Sequence, residues 1–263
     1  MEQDVYNCGE FVWTGIDYLG EPTPYAKDSR SSYYGIVDLT CVPKDRFYLY
    51  RSYWNKKADT IHILPHWNWK GLEGKPVPVY VYTSGDRAEL FLNGRSLGMR
   101  KKGEPCTASP YSSYYDVCAK YRLRWFNVPY EPGELKAVAY RGETKLGETV
   151  MRTAGEPAAV KLTVEPKLGG EPDELIWVQV DVVDAVGVRN PLAMDRVFFK
   201  LSGPGQIIGV GNGNAHAFEA FTKTDSHPLF YGKAVAVIRR DAPGELKLEV
   251  SAPALKPAAA TLP

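Results

Sequence analysis

From residue 76 onward, apolar and polar positions alternate. In "PVPVYVYTS", Val77, Val79 and Val81 are spaced by Pro78, Tyr80 and Tyr82. That period of two predicts a strand with one face turned to a core. "AELFLNGRSLG" predicts two more strands joined at Asn93-Gly94, because a two-residue hairpin turn needs φ > 0 at both positions. "AKYRLRWFNV" and "ELKAVAYRGETKLGETV" continue the pattern, the second with a hairpin at Arg141-Gly142-Glu143. Beyond residue 157 the same texture predicts strands at 160–164, 176–183, 196–201, 206–210, 234–238 and 245–251. Their spacing is that of a β-sandwich. "PGEL" opens a strand at 132–135 and again at 243–246, so both blocks use a Pro-Gly turn before a late strand. The tail "PALKPAAATLP" is expected to hold a last strand loosely or to fray.

The first 57 residues have a different pattern. "VPKDRFYLYRSYWNKK" places Phe47, Tyr50 and Trp54 at i, i+3 and i+7, one apolar stripe, after a proline suited to a first helical turn. This predicts a helix over 43–56. Its stripe is expected to pack on the next block through Trp54, Trp67 or Trp69. Earlier, "FVWTGID" at 11–17 reads as a buried strand ending in an acid. A strand so apolar needs neighbours that the few residues before it cannot supply. A loop rich in Pro, Ser and Tyr follows. Three blocks result, 1–57, 58–154 and 155–263, with the second seam near "TAGEPAA".

Composition narrows the function classes. There are 32 basic and 31 acidic residues, a net charge of +1, which gives no reason to expect nucleic acid or an anionic membrane as partner. No apolar run is long enough for a membrane span, and the first residues have no signal-peptide pattern. The four cysteines match no zinc spacing. Cys106 and Cys118 flank one loop and leave a bridge or two free thiols open.

Catalytic motifs are lacking. "GVGNGN" at 209–214 breaks the GxGxxG rule at Asn214 and has no helix pattern after it, so it reads as a glycine-rich turn or bulge at a strand end. His62 and His66 are separated by Pro65 and, on a strand, would lie roughly 13 Å apart, too far to share a metal. No metal site and no cofactor are expected. Glu10, Asp17 and Glu21 cluster near the opening strand, and a glycosidase needs two facing carboxylates. Three acids in a polar loop are more commonly solvated. Tryptophans and tyrosines crowd the first seventy residues, suited either to core packing or to stacking on sugar C–H faces.

The motifs "GEFVWTGIDYLGEPTPY", "RSSYYGIVDLTCVPKDRFYLYRSYW" and "LPHWNWKGLEGKPVPVYVYTSGDRAELFLNGRSLG" resemble the C-terminal half of bacterial β-galactosidases of glycoside hydrolase family 2. The resemblance continues through "YEPGELKAVAY", "TAGEPAAVKL", "DAVGVRNPLA" and "GPGQIIGVGNGN". It implies a mainly β chain: two immunoglobulin-like β-sandwich domains preceded by the last strand and helix of a (β/α)8 barrel. Residues 11–17 would be the eighth strand, 18–37 the loop above it and 43–56 the last helix. Barrel active sites sit at the C-terminal ends of the strands. The resemblance therefore puts Trp13 under the galactosyl ring and places Asp17 and Tyr25 on the substrate side. It puts the acid/base and nucleophile glutamates on earlier strands, outside this sequence. The chain alone would then be inactive and would meet a β-galactoside only as part of a periplasmic or secreted parent. An unpaired strand edge also leaves a homodimer open. The alternative is a free-standing carbohydrate-binding or adhesion module, which would not need a solitary strand and helix.

Overall fold

The computed structural model describes residues 5–9, 11–23, 25, 27–104, 118–165 and 175–263. Glu10, Cys106 and hence the Cys106–Cys118 pairing lie outside the described residues. The architecture is mainly β, two antiparallel sandwiches in tandem, as expected.

The first sandwich pairs a sheet of β1 (Ile61–Leu64), β2 (Pro76–Thr83) and β5 (Leu123–Pro129) with a sheet ordered β4-β3-β6-β7. These last four are β3 (Arg87–Leu92), β4 (Arg95–Lys101), β6 (Glu134–Arg141) and β7 (Thr144–Arg152). The alternation does what the period of two demands. Val77, Val79 and Val81 face Leu90, Leu92, Leu135 and Trp67 in one core. Asn93 and Gly94 take φ of 50° and 80° at the β3–β4 turn.

The second sandwich packs β8 (Ala159–Val164), β9 (Leu175–Val183), β11 (Gly205–Gly211) and β13 (Lys233–Arg240) against a second sheet. That sheet holds β10 (Arg196–Ser202), β12 (Ser226–Pro228), β14 (Leu246–Ser251) and β15 (Ala258–Leu262). The tail does not fray. Its small residues pair in register with β14, and Leu262 is buried in the core. Gly133 and Gly244, the glycines of the two "PGEL" turns, share nearly the same left-handed φ, 136° and 140°.

The segment between the sandwiches is tied to both. Asn68 exchanges two hydrogen bonds with the backbone of Ala154. Gly155 donates its N–H to Asp184 and accepts from the Asn190 side chain.

The first block departs from expectation in two ways. A helix, α1 (Asp45–Trp54), is present, but residues 11–17 are not a buried strand. They make one isolated parallel bridge, Ile16 with Val37, and Phe11 and Trp13 are exposed. The reason is a missing sheet: an extended segment without strands on both sides cannot cover its faces or satisfy its whole backbone. Secondly, among the described residues no ring contact joins a tryptophan of the first sandwich to the helix. Trp54 is 59% exposed and stacks on Tyr50, Trp67 belongs to the first sandwich's core, and Trp69 packs against that core and stacks on His66. The helix meets β1 through the next face round, where Tyr48 stacks on His62 at 3.9 Å and Asp45 pairs with His62 at 2.7 Å.

One buried histidine gives the second sandwich a pH dependence. His227 on β12 is wholly buried, and its Nε2 has no hydrogen-bond partner. Burial pushes its pKa below the ordinary 6.5, and Arg196 and Arg30 push the same way against the Pro228 carbonyl and Glu219. The folded state therefore prefers the neutral ring. Its stabilising contribution is complete above the unfolded value and is lost as pH falls below about 6.5. The loss reaches at most about 1.4 kcal/mol per pH unit for this one group. Urea midpoints at pH 7.5 and 5.5 should differ more for the native chain than for His227→Phe. Equal differences would show that His227 does not carry the effect.

Candidate functional site

Residues 11–44 form a compact platform around Asp17. Both its carboxylate oxygens are taken: one accepts the Gly35 N–H at 2.7 Å, the other meets Lys44 Nζ at 2.5 Å. The backbone adds a short parallel ladder in which Ile36 and Val37 donate to Thr14 and Gly15, and Asp17 donates to Val37. Gly35 is a glycine because of this approach; a Cβ there would lie 2.3 Å from Asp17 N and 2.4 Å from Val37 O. Further along, Ser31 and Ser32, both fully buried, tie Tyr18 back across the base of the loop.

Trp13 sits on the open side of the platform, 71% exposed. Its indole N–H donates to the Tyr18 hydroxyl at 3.0 Å, and the Tyr18 hydroxyl in turn donates to the Glu21 carboxylate. That bond to Glu21 is the main reason the Tyr18 phenol pKa lies above its ordinary value, with the indole pulling it the other way. The indole is thus oriented through its polar edge, while its face is left free. Tyr25 is half-buried, with Tyr33 at 5.2 Å on one side and His216 at 4.0 Å on the other. Of the three residues expected to face substrate, Trp13 and Tyr25 present ring surface. Asp17 does not: it is buried at the base of the platform and held there by its own partners.

His216 belongs to the second sandwich, whose contribution the sequence reading missed. The whole platform docks there. Arg30 donates to the carbonyls of Phe218 and Glu219, the latter at 2.6 Å, and its guanidinium lies 4.2 Å from the Phe221 ring centroid. Ser29 and the Arg30 N–H both donate to Ala215 O. Asp38, which caps its own turn through Thr40 and Val42, lies against Gly213. A Cβ on Gly213 would come within 2.1 Å of the Asp38 carboxylate. "GVGNGN" is therefore a glycine turn with a partner: it admits the Asp38 turn. Its glycines were visible in the sequence, but the surface they accept was not. A cavity of about 150 Å³ remains beneath, between Leu39, Thr40, Trp177, Phe221 and Val235. Its nearly apolar walls do not suit a sugar's hydroxyls.

Among the described residues, no group of three His, Cys, Asp or Glu side chains is placed to hold a metal. Among them, no helix is long and apolar enough to cross a membrane.

Two sequence families match this chain. Glycoside hydrolase family 2 C-terminal domain 5 covers residues 151–261, and a domain of unknown function, DUF4982, covers 74–147. Beta-galactosidase BoGH2A of Bacteroides ovatus is 39% identical over 253 residues, 95% of this chain. The crystal structure of a beta-glycosidase from Bacteroides vulgatus superposes on 97% of the chain, with a TM-score of 0.81 and 32% identity. Residues 151–261 thus carry a C-terminal domain of glycoside hydrolase family 2. The chain spans 28% of the Bacteroides ovatus protein and 30% of the Bacteroides vulgatus chain. A beta-glucuronidase of Formosa agariphila is 31% identical over 78% of this chain, which spans 19% of that protein. The relatives' names thus differ in the sugar while the two-sandwich region is shared.

Proposed function

We propose that this chain is the C-terminal portion of a retaining β-galactosidase, acting on terminal β-D-galactosides, in which it supports the barrel and completes the sugar site. The likeness to a β-galactosidase across 95% of the chain is the observation that carries this reading. The platform geometry agrees with it. Trp13 offers a free indole face oriented by Tyr18, which suits a floor for the galactosyl ring. Tyr25 lines the same site further out, and Asp17 acts as their anchor. The second sandwich holds the platform through Ser29 and Arg30 and accepts the Asp38 turn at Gly213.

Chemistry itself requires residues from elsewhere. Retention needs an acid and a nucleophile about 5–5.5 Å apart. Asp17, the one buried carboxylate of the platform, is neutralised by Lys44 and faces inward. The 263-residue chain is therefore expected to give no turnover of an aryl β-galactoside above the buffer rate. Turnover abolished by substituting Asp17 would overturn the reading. Fused behind its barrel, the protein should prefer aryl β-galactosides to aryl β-glucuronides. The opposite preference would transfer the parent to the glucuronidases. Tight glycan binding by the chain alone, without any barrel, would favour a free-standing binding module instead.

A further inference from the structure

A cleft of about 290 Å³ opens at the seam between the two sandwiches. The first sandwich contributes His66, just past β1, and Val150, Met151 and Arg152 of β7. The second contributes Arg189 and Pro191 from the connection between β9 and β10. Ser29, Arg30 and Asp38, which dock the platform, do not line it. We infer that this cleft binds a small organic oxyanion, a carboxylate or sulfate carried on a body of about monosaccharide size, with Arg152 and Arg189 as its charged clamp. The inference does not depend on which glycoside the parent cleaves.

Three observations support it. First, positive charge is left over. Arg189 donates through Nη1 to Tyr231 O at 2.7 Å, while its Nε lies 4.0 Å from Asp181, beyond hydrogen-bond reach. Lys233 lies 3.5 Å from the same Asp181 oxygen, so one carboxylate faces two cations. Arg152 donates through Nη2 to Glu134 at 2.7 Å. Among the described residues, Arg189 Nη2 and Arg152 Nη1 have no hydrogen-bond acceptor. A guanidinium presents its donors in a fixed fork that matches a carboxylate or sulfate. Secondly, His66 adds a donor without adding charge. Its Nδ1 accepts the Asn68 N–H at 3.2 Å, which leaves the ring proton on Nε2. Burial, helped by Arg189 and opposed by Asp45, holds its pKa below the ordinary 6.5, so the ring is neutral at pH 7. Trp69, stacked at 4.5 Å, keeps that ring in place. Thirdly, the walls are built before any ligand arrives. The Asn68–Ala154 pair and the Asn190 bond to Gly155 tie the two sandwiches to the segment between them. Asp184 accepts from the N–H groups of Val186 and Val188 and so fixes the turn that leads to Arg189. A site fixed in this way loses little freedom on binding, and the seam between domains is a common place for one. The cleft is roomier than an inorganic oxyanion needs, and Val150, Met151 and Pro191 offer an apolar wall to the C–H groups of a larger body.

The test titrates the 263-residue chain at low salt with glucuronate, galactose 6-sulfate, inorganic sulfate and glucose, following the His66 ring signals by NMR. At least one acidic sugar should move them with a Kd of about 1 mM or tighter, and the tighter of the two identifies the anion. Glucose at equal concentration should leave them in place. Inorganic sulfate should bind at least about fivefold more weakly than the better sugar, because it leaves the apolar wall uncovered. Arg152→Gln and Arg189→Gln should each weaken the sugar at least about tenfold, the loss expected for one charged hydrogen-bonding group. Arg152 lies on the edge strand β7 with its side chain 55% exposed, so its variant serves if Arg189→Gln disturbs the contact with Tyr231. Raising the salt from about 20 to about 300 mM should weaken binding several-fold. Binding of neither acidic sugar, equal binding of glucose or of inorganic sulfate, or unchanged affinity in both glutamine variants would overturn the inference. The readout is binding, not turnover, so failure here would leave galactoside hydrolysis untouched.

Discussion

Replacing Trp13 with alanine in a protein that carries this chain behind its barrel is expected to lower kcat/KM for an aryl β-galactoside roughly 100-fold, about 2.7 kcal/mol of transition-state stabilisation. The indole face is open, with 71% of the residue exposed, and its N–H is held by the hydrogen bond to Tyr18. Removing it takes nothing from either hydrophobic core, so the folding midpoint should move little. A floor under the sugar matters most as the ring flattens toward an oxocarbenium ion. The loss should therefore fall on kcat as well as KM, the pattern of an interaction strengthened in the transition state. Trp13→Phe should recover part of it. Kinetics within a few-fold of the unsubstituted enzyme would remove Trp13 from the sugar site.

Gly35→Ala is expected to undo the platform while leaving both sandwiches folded. The new methyl would lie 2.3 Å from Asp17 N, 2.4 Å from Val37 O and 2.6 Å from the Ile16 carbonyl carbon. All three are backbone atoms, so no side chain can swing aside. Overpacking of this kind costs about 1–3 kcal/mol or more. That exceeds what a short ladder and one ion pair can hold against, so Ile36, Val37 and Asp17 should separate. In hydrogen exchange those three amides should lose protection, while Val180 and Leu248, in the second sandwich's core, keep theirs. Unchanged protection at Val37 would show that the platform tolerates the methyl and that the close approach is not what requires glycine.

The sandwiches were legible because their signals are local. Alternation in 77–82 marks which side chains face inward, and Asn93-Gly94 marks where the chain reverses. Six strands foreseen between 160 and 251 lie within two residues of their observed ends. The short strand β12 escaped notice, and the alanine-rich β15 was foreseen only as a loosely held or fraying tail, because small or few residues carry little periodic signal; pairing with β10 and β14 creates them. The helix was legible in position but not in facing. Phe47, Tyr50 and Trp54 make a true stripe, yet the neighbour that arrived was His62 of β1, which meets Tyr48 and Asp45 on another face.

By itself the sequence determined a mainly β chain, one helix near residue 50, the two Pro-Gly turns and the family motif containing Trp13. Each rests on residues close along the chain, where spacing and backbone preference suffice. Tertiary structure alone decided that 11–17 pairs only briefly with 36–37 and leaves Phe11 and Trp13 exposed, since a strand's burial depends on partners that no local pattern can provide. It also decided that Asp17 is an anchor, because the cation and amide that occupy its oxygens come from residues 27 and 18 positions away. The meeting of Tyr25 with His216 spans most of the chain. Such a contact depends on how two separately folded units dock, and docking is set by shape, by glycines that permit approach and by paired charges, none of which has a period in the sequence.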